Sequence, residues 1–505
     1  MSLEIVDRAR SHGSRTAIID RDGEHSYSQL LAASGRAAAA LAGERGDLEE
    51  QRVAFMVEPS FDYARIQWGI WRAGGLAVPL CLTHPAPELA YVLDDSEPSV
   101  VVAGARYEET LRPLAAERGI RYARSEDLDS PSASLLPEVD SGRRAMMLYT
   151  SGTTGRPKGV VTTHRNLSAQ ITSLIEAWGW SSDDRILLTL PLHHVHGIVN
   201  VVSCALWAGA ACETLPAFDA ETTWERLASG ELTVYMAVPT LYHRLIAAWD
   251  RADPERRQRW SQGCRGLRLM VSGSAALPVS VLERWQQISG HTLLERYGMT
   301  EIGMGLSNPL VGERNPGHVG RPLPGVEARL VDEEGREVAD GLVGGLQIRG
   351  DSVFGEYWGK PETTAAAFAP GGWFKTGDVA VRQDGIYRIL GRESVDIIKT
   401  GGEKVSALEI EDVLLGHEQV AECAVVGVED PEWGQRVVAA IVPGPGQTLA
   451  ADTLRAWCRD RLAPYKVPKE WHLVERLPRN AMGKITKPEV VQMLMESGPL
   501  GQAPG

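Results

Sequence analysis

A short loop rich in glycine, serine and threonine, closed by a lysine, is the most informative part of this chain. Residues 149–159 read YTSGTTGRPKG, and seven of the eleven are Gly, Ser or Thr. Glycines let backbone N–H groups approach an anion closely, successive N–H groups form a concave anion nest, and the hydroxyls and the lysine add donors and charge. The order Pro-Lys-Gly differs from the Gly-Lys-Ser/Thr of a P-loop. We therefore predict a different polyphosphate loop, with ATP as its ligand, whose binding residues are Thr150, Ser151, Gly152, Thr153, Thr154, Gly155 and Lys158.

Four further stretches carry side chains that suit the rest of a nucleotide. YGMTE (297–301) offers a ring for a base, a hydroxyl for a phosphate and a carboxylate for a hard cation such as Mg²⁺. KTGD (375–378) places a carboxylate just after a tight turn, where it can accept hydrogen bonds from ribose hydroxyls. GRESVDIIKTGGEKV (391–405) carries a charged pair followed by two glycines, and PRNAMGKI (478–485) carries a solitary lysine. Each stretch is a weak signal alone, but their joint order is a strong one.

Together these motifs resemble those of the adenylate-forming superfamily, which includes acyl-CoA synthetases, luciferases and the adenylation domains of peptide synthetases. The resemblance covers about residues 26–487. The ATP-side roles that it implies are a β/γ-phosphate clamp at residues 150–158, an adenine-side wall of Ser274, Ala275, Ala276 and Tyr297, and further ATP contacts from Glu295 and Gly298. It also implies an α-phosphate contact from Thr300, Mg²⁺ ligation by Glu301 and Thr154, and ribose contacts from Asp378 and Arg392. The remaining implied roles are a catalytic lysine at Lys484, acting with Thr300 and Glu301, a domain hinge at Asp396, and coenzyme A contacts from Lys399, Gly401 and Gly402.

A carboxylate cannot acylate a thiol directly, because its oxygen is a poor leaving group, so the acid must first be activated. Attack of the acid on the ATP α-phosphorus gives an acyl-adenylate and pyrophosphate, and a thiol then displaces AMP. The first step brings two anions together, so positive charge from Lys484 and Mg²⁺ would offset their repulsion. The second step needs a clear path for a long pantetheine arm, and a C-terminal domain that turns about Asp396 would open one.

Two arginines indicate which acid is used. Arg244 lies on the helix predicted to begin near Pro239, in a region that lines the acyl pocket in this superfamily, and Arg296 directly precedes the adenine-side tyrosine. A buried guanidinium without an anion is costly, and a guanidinium matches a carboxylate in bidentate fashion. Two such groups imply a second negative charge on the substrate. The alternative is that one or both pair with a protein carboxylate such as Glu295 or Glu301.

The strings PLHHVHG, VPTLYHR, SGSAALP, ERYGMTE and SVDIIKTGGEKVSALEIE resemble those of malonyl-CoA synthetases, including the animal type that also accepts methylmalonate. The substrate-side residues implied are His194, Arg244, Ser272, Ser274, Arg296 and Met299, with His196 packed behind His194. The predicted reaction is ATP-dependent ligation of malonate or methylmalonate to coenzyme A, giving the acyl-CoA, AMP and pyrophosphate. Alternatives are a synthetase for another small carboxylic acid and an enzyme that loads a carrier-protein thiol. A luciferase-like oxygenase and a nucleotide-binding regulator without turnover are disfavoured.

Alternating apolar runs and helical patterns in 505 residues predict an α/β fold with more than one domain. Apolar runs such as 52–56 and 234–237 predict strands, and the pattern at 29–42 predicts a helix. Near the C-terminus we expect a helix at 407–415 and a strand at 422–428. We expect a large N-terminal domain of mostly parallel sheets with helices plus a small β-subdomain, residues 1–395, and a small mobile α+β C-terminal domain, residues 396–505. Apolar runs on both sides of the phosphate loop predict a strand–loop–strand unit, which disfavours a solvated linker.

Bulk composition excludes several classes of partner. A net charge of −14 argues against nucleic acid, and no apolar stretch approaches the roughly 18 residues of a membrane helix. Six scattered cysteines without a CxxC pair suit buried thiols, and HHVH (193–196) lacks the carboxylate or cysteine spacing of a metal site. We expect a cytoplasmic protein without membrane or nucleic-acid partners, present as a monomer or weak homodimer, that binds a short dicarboxylate, ATP, Mg²⁺ and coenzyme A.

Overall fold

Two large, mostly parallel sheets and two smaller sheets make up the fold. The computed structural model describes residues 3–129, 136–150, 156–401, 403–444, 446–447, 449–479 and 485–497. The strands in chain order are β1 (Thr16–Asp20), β2 (Gly23–Ser26), β3 (Arg52–Met56), β4 (Leu76–Pro79), β5 (Val100–Ala103), β6 (Arg121–Arg124), β7 (Arg144–Thr150), β8 (Lys158–Thr163), β9 (Arg185–Leu188), β10 (Ala211–Thr214), β11 (Val234–Ala237), β12 (Leu269–Ser272), β13 (Leu294–Met299), β14 (Gly303–Ser307), β15 (Arg321–Pro322), β16 (Val326–Val331), β17 (Val343–Gly350), β18 (Glu356–Tyr357), β19 (Phe368–Ala369), β20 (Trp373–Gln383), β21 (Ile386–Arg392), β22 (Ile397–Thr400), β23 (Glu403–Ser406), β24 (Val420–Asp430), β25 (Gly434–Pro443) and β26 (Glu470–Leu473).

Helices connect the strands of the two large sheets, as parallel pairing requires. The helices of the whole described structure, in chain order, are α1 (Glu4–His12), α2 (Tyr27–Ala42), α3 (Phe61–Arg72), α4 (Ala86–Ser96), α5 (Glu108–Glu117), α6 (His164–Trp178), α7 (Cys204–Ala208), α8 (Ala220–Leu227), α9 (Pro239–Arg251), α10 (Pro254–Cys264), α11 (Val279–Ser289), α12 (Pro361–Ala367), α13 (Ala407–Leu415), α14 (Ala451–Arg459) and α15 (Lys487–Ser497). Capping boxes start α2, where Ser26 and Gln29 bond reciprocally, and α6, where Thr163 and Asn166 do the same.

The first sheet has the strand order β15-β14-β13-β12-β11-β9-β10-β1-β2, and its centre from β1 to β13 is parallel. The second sheet has the order β18-β8-β7-β4-β3-β5-β6, with β8 and β18 antiparallel at one edge. Buried apolar side chains from both sheets and from α2, α3 and α6 form one large core. The carboxyl ends of parallel strands are where ligands bind in open α/β sheets.

The two smaller sheets are mainly antiparallel and follow one another in the chain. The third contains β16, β17, β19, β20 and β21, and the fourth contains β22 to β26. The chain leaves the third sheet at Arg392 and enters the fourth at Ile397, so Asp396 lies at the crossing between them. The predicted fold class is confirmed. In the described parts of the chain, no helix is both long enough and apolar enough to cross a bilayer.

Candidate active site

The predicted phosphate loop lies at the turn of a β-hairpin. β7 and β8 pair antiparallel and end with Thr150 opposite Lys158, which is the predicted strand–loop–strand arrangement. The loop residues Ser151, Gly152, Thr153, Thr154 and Gly155 lie outside the described residues. The Lys158 ammonium lies 5.1 Å from the centre of the Tyr357 ring. A side chain at Gly159 would meet the Met147 sulfur at 2.6 Å, so a larger residue beside this lysine would require the Met147 side chain to move.

A buried carboxylate, Glu301, stands beside this hairpin. Tyr357 donates its hydroxyl to Glu301 Oε1 at 3.0 Å, and the stacked ring links the carboxylate to Lys158. Burial raises the pKa of Glu301, although the nearby charges of Arg392 and Lys158 oppose that effect. Bringing a divalent cation close would therefore favour the ionised form. Among the described residues no cluster of three or more His, Cys, Asp or Glu could hold a metal by itself.

The predicted ribose site is a cross-strand pair. Asp378 on β20 lies directly opposite Arg392 on β21, and Arg392 Nε is 3.0 Å from Asp378 Oδ1. Tyr297 donates its hydroxyl to Asp378 Oδ2. Thr376 fixes both partners, since its hydroxyl accepts from the Asp378 N–H at 3.1 Å and its carbonyl accepts from Arg392 Nη1 at 2.9 Å. Burial raises the pKa of Asp378 and outweighs the opposite effect of Arg392.

The predicted hinge residue is bound to the end of the same strand. Asp396 is buried, and its Oδ2 accepts from the Arg392 N–H at 2.9 Å. Gly391 has a φ of +129°, and a side chain there would lie 2.4 Å from Asp396 Cβ. The hinge carboxylate and the ribose arginine are thus four residues apart and joined by a hydrogen bond.

Arg296, the predicted substrate-side arginine on β13, is buried, and the described residues give it no counter-ion. Arg296 is 3% exposed, and its Nη2 donates to Ser274 Oγ at 3.2 Å. Its Nε has no hydrogen-bond partner, and within the described part of the chain no carboxylate lies at ion-pair distance. Burial lowers its pKa to about 9, so it is still cationic at neutral pH. The sequence alternative, in which Arg296 pairs with Glu295 or Glu301, is wrong for the described residues.

Two backbone features make room for this guanidinium. A side chain at Gly273 would lie 2.6 Å from Arg296 Cζ, so a larger residue there would displace the guanidinium. Ser274 has a φ of +70°, a left-handed conformation that costs energy for a residue with a side chain. Its hydroxyl lies 3.2 Å from His196 Nδ1, and His196 begins a buried π-helix, His196–Ser203. The buried hydroxyl of Ser272, two residues before Ser274, has no hydrogen-bond partner among the residues that the structure describes.

Arg244 corrects part of the sequence argument. It is exposed on α9, and its guanidinium lies 4.7 Å from the centre of the Phe218 ring. The reasoning that a buried arginine needs an anion therefore holds for Arg296 and is wrong for Arg244. A substrate contact from Arg244 stays a prediction.

The other predicted site residues differ in their surroundings. Ala275 and Ala276 are exposed, whereas Met299, Thr300 and His194 are half-buried. Glu295 points away from Arg296, accepts from the Gly317 N–H at 3.0 Å, and has its pKa raised by burial to about 8. A side chain at Gly298 would lie 2.2 Å from the Gly303 carbonyl oxygen. Lys399 and Gly401 are exposed, and Gly402 and Lys484 lie outside the described residues.

Two family models match this chain. Residues 5–358 match the model described as AMP-binding enzyme, and residues 409–484 match the AMP-binding enzyme C-terminal domain. The chain belongs to the AMP-binding enzyme family. Within this family it is 47% identical to the mitochondrial malonate–CoA ligase ACSF3 of Mus musculus, over 99% of this chain and 92% of that protein. It is 41% identical to a malonate–CoA ligase of Arabidopsis thaliana, over 89% and 79% of the two chains.

Solved structures of AMP-binding enzymes share the fold over nearly the full length. ATP-bound MatB from Rhodopseudomonas palustris aligns with a TM-score of 0.90 and 34% identity, covering 98% of this chain and 99% of that one. A malonyl-CoA ligase in a ternary product complex with methylmalonyl-CoA and AMP aligns with a TM-score of 0.70 and 38% identity, covering 94% and 100%.

Three residues of this AMP-binding enzyme were missed by the sequence reasoning. Tyr357 is 56 residues from the Glu301 that it contacts, and nothing in its local sequence indicates the pairing. Thr376 lies two residues before Asp378 in the KTGD motif, from which only Asp378 was predicted to belong to the site. Gly273 had a usable signal, because it separates the two candidate serines in SGS.

Proposed function

We propose that this chain is an AMP-forming acid–thiol ligase that joins malonate to coenzyme A through malonyl-adenylate. The observation that carries the choice of acid is the buried Arg296 guanidinium, which has no protein carboxylate among the described residues and leaves Nε free. The membership of the AMP-binding enzyme family supports the ligase chemistry, and the malonate–CoA ligases at 41–47% identity support the acid.

In the adenylation step, the hairpin loop and Lys158 would hold the ATP phosphates, and Asp378 would accept hydrogen bonds from the ribose. Glu301 would hold Mg²⁺ with the phosphate oxygens, and the ion would supply positive charge near the phosphates. Thr300 would bind the α-phosphate. Lys484 would bridge the attacking carboxylate and the nucleotide, which lowers the repulsion between two anions.

The far carboxylate of the acid would be bound by Arg296. This guanidinium has unused N–H groups, and the free Ser272 hydroxyl and the Ser274 hydroxyl lie on the adjoining segment. A monocarboxylate such as propionate leaves the buried charge unpaired, so the site favours a diacid. Arg244, which is exposed in this arrangement, would contribute from α9 at the mouth of the site.

In the second step, the C-terminal domain would turn about Asp396 and admit the pantetheine thiol past Gly401 and Gly402. The arrangement of this chain is closer to ATP-bound MatB than to the ternary product complex, with TM-scores of 0.90 and 0.70. This supports assigning it to the adenylation step.

An acid panel tests the proposal. Purified protein is assayed for AMP formation with ATP, Mg²⁺ and coenzyme A, using malonate, methylmalonate, succinate, propionate and acetate. We expect malonate to give the highest kcat/KM, and methylmalonate within about 100-fold because one methyl group is worth roughly 1–3 kcal/mol. A higher kcat/KM for propionate than for malonate refutes the diacid assignment. Turnover with a carrier-protein thiol but not with coenzyme A refutes the choice of acceptor.

A further inference from the structure

A buried lysine joins the C-terminal helix to the predicted hinge. Lys487 is the first residue of α15, and its ammonium lies 2.6 Å from Asp396 Oδ1 and 2.8 Å from Glu411 Oε1. The side chains are only 11%, 12% and 14% exposed, respectively. An ion pair at this depth is screened little by salt, and removing one partner leaves charge buried and uncompensated.

The remaining bonds of both carboxylates are directed at backbone. Asp396 Oδ2 accepts from the Arg392 N–H at 2.9 Å, and Glu411 Oε1 accepts from the Val425 N–H at 2.7 Å. Burial by itself would lower the pKa of Lys487, but the two carboxylates outweigh it and raise that pKa. One cation therefore balances two acids that would otherwise repel each other.

The position of Lys487 in the chain relates the cluster of Lys487, Asp396 and Glu411 to rotation at the predicted hinge. It follows the predicted catalytic Lys484 by three residues. Its partner Asp396 lies where the chain crosses from the third sheet to the fourth, and Glu411 lies on α13. A rotation about Asp396 must change the position of its carboxylate relative to either the Arg392 N–H or Lys487. The cluster thus opposes departure from the arrangement seen here.

We propose that Lys487 is a positioning residue that holds the hinge in the adenylation arrangement through its ion pairs with Asp396 and Glu411. This inference rests on the proposed function, because it takes Asp396 as the hinge of a two-step ligase. Loss of the lysine would weaken the first half-reaction, which needs this arrangement, more than the second, which needs the hinge to have turned.

The test separates the two half-reactions in Lys487→Met. We expect malonate-dependent pyrophosphate–ATP exchange to fall at least 10-fold, while thioester formation from supplied malonyl-adenylate stays within about threefold of the wild type. Lys487→Arg, which keeps the charge, should restore most of the exchange. Equal losses in both half-reactions, no loss in either, or an arginine variant as impaired as the methionine variant would each overturn the proposal.

Two further variants deal with misfolding. Lys487→Met with Glu411→Gln leaves one buried carboxylate instead of two, so it should unfold at a higher temperature than the single variant and still show the same split between half-reactions. Lys466→Met breaks another ion pair of the same domain, at 2.7 Å from Glu409, without touching the hinge, and should leave the ratio of the two rates unchanged. A changed ratio in Lys466→Met would refute the assignment to the hinge.

The wild type separates this inference from the proposed function. If the wild type shows no malonate-dependent exchange, the proposed function fails and the inference built on it is overturned as well. If it shows exchange and the Lys487 variants do not split the half-reactions, only the inference fails.

Discussion

Replacing Arg296 by methionine should stabilise the ligand-free protein while abolishing its use of malonate. Burial lowers the pKa of Arg296 to about 9, well below its ordinary value, and at about 1.4 kcal/mol per pH unit this is a cost of roughly 4–5 kcal/mol for keeping the charge in the folded state. The cost is present in full below pH 9, where both folded and unfolded states are protonated, and it falls as the pH rises above 9. Methionine has a similar length and no charge, so we expect the unfolding free energy to rise by about 1–4 kcal/mol.

The same change should remove the recognition of the second carboxylate. Two hydrogen bonds between a guanidinium and a carboxylate contribute about 1.5–3 kcal/mol each. Their loss lowers kcat/KM for malonate by about 10²- to 10⁴-fold, while turnover of propionate should change little or improve. AMP release with each acid measures both, and thermal unfolding with and without malonate and ATP measures stability. Ligand at 100 times its Kd should stabilise the wild type by about 2.7 kcal/mol, and malonate should add nothing in the variant.

Two controls make this prediction specific. Arg296→Lys keeps a charge but loses the bidentate geometry, so it should lose malonate turnover without gaining the same stability. Arg244→Met changes an exposed side chain whose stacking on Phe218 contributes only about 0.5–1 kcal/mol. Its unfolding free energy should therefore fall by no more than this and should not rise as in Arg296→Met. If Arg296→Met lowers the unfolding temperature of the ligand-free protein, or still uses malonate at the wild-type rate, the reasoning about an unpaired buried charge is wrong.

Three other predictions concern Glu295, Tyr297 and Cys81. Burial raises the pKa of Glu295 from 4.5 to about 8, so between these pH values the folded state keeps a proton that the unfolded state releases. The wild type should therefore lose stability relative to Glu295→Gln as the pH rises from 5 to 8, and denaturation profiles that stay parallel would contradict this. Tyr297→Phe removes a hydrogen bond to Asp378 and should raise the KM for ATP about 10-fold. Asp378→Asn should raise this KM further. An unchanged KM for ATP in both variants would exclude a role of Asp378 in ribose binding. Burial alone would raise the pKa of the Cys81 thiol, but hydrogen bonds with two histidines lower it to about 5. Burial raises the pKa of the other five cysteines. Iodoacetamide at pH 6.5 should therefore modify Cys81 first, as measured by peptide mass spectrometry, and faster labelling of another cysteine would refute this.

The helices and strands were predictable where the spacing of apolar residues agreed with the positions of capping and turn residues. The strands expected at 52–56 and 234–237 and the helix expected at 407–415 have these bounds in the structure. The helix expected at 29–42 begins two residues earlier, at Tyr27, because its Ser26 cap and Gln29 form a capping box. The strand expected at 422–428 extends over Val420–Asp430, since its pairing with β25 continues beyond the apolar run.

The contacts across sequence distance were not predictable. Sequence order alone could place Asp378 and Arg392 in the same site but not opposite each other on paired strands. Burial was the weakest inference, because the sequence argument treated both arginines as buried. Arg296 lies on the half of β13 where Leu294 and Glu295 are buried as well, whereas Arg244 lies on the exposed side of α9. Such differences depend on which face of an element meets another element, which a single sequence does not specify.

Under the proposed function, selection of a diacid would depend as much on the backbone as on charge. An arginine on a buried strand has no space unless the neighbouring strand end withdraws, and Gly273 provides that space by lacking a side chain. The turn that follows places Ser274 at a φ of +70°, which brings its hydroxyl to both Arg296 and His196. Strain at Ser274 and desolvation at Arg296 both cost stability in the ligand-free protein. A ligand carboxylate relieves the second cost, so part of the binding energy of malonate would come from a charge that the fold leaves unpaired.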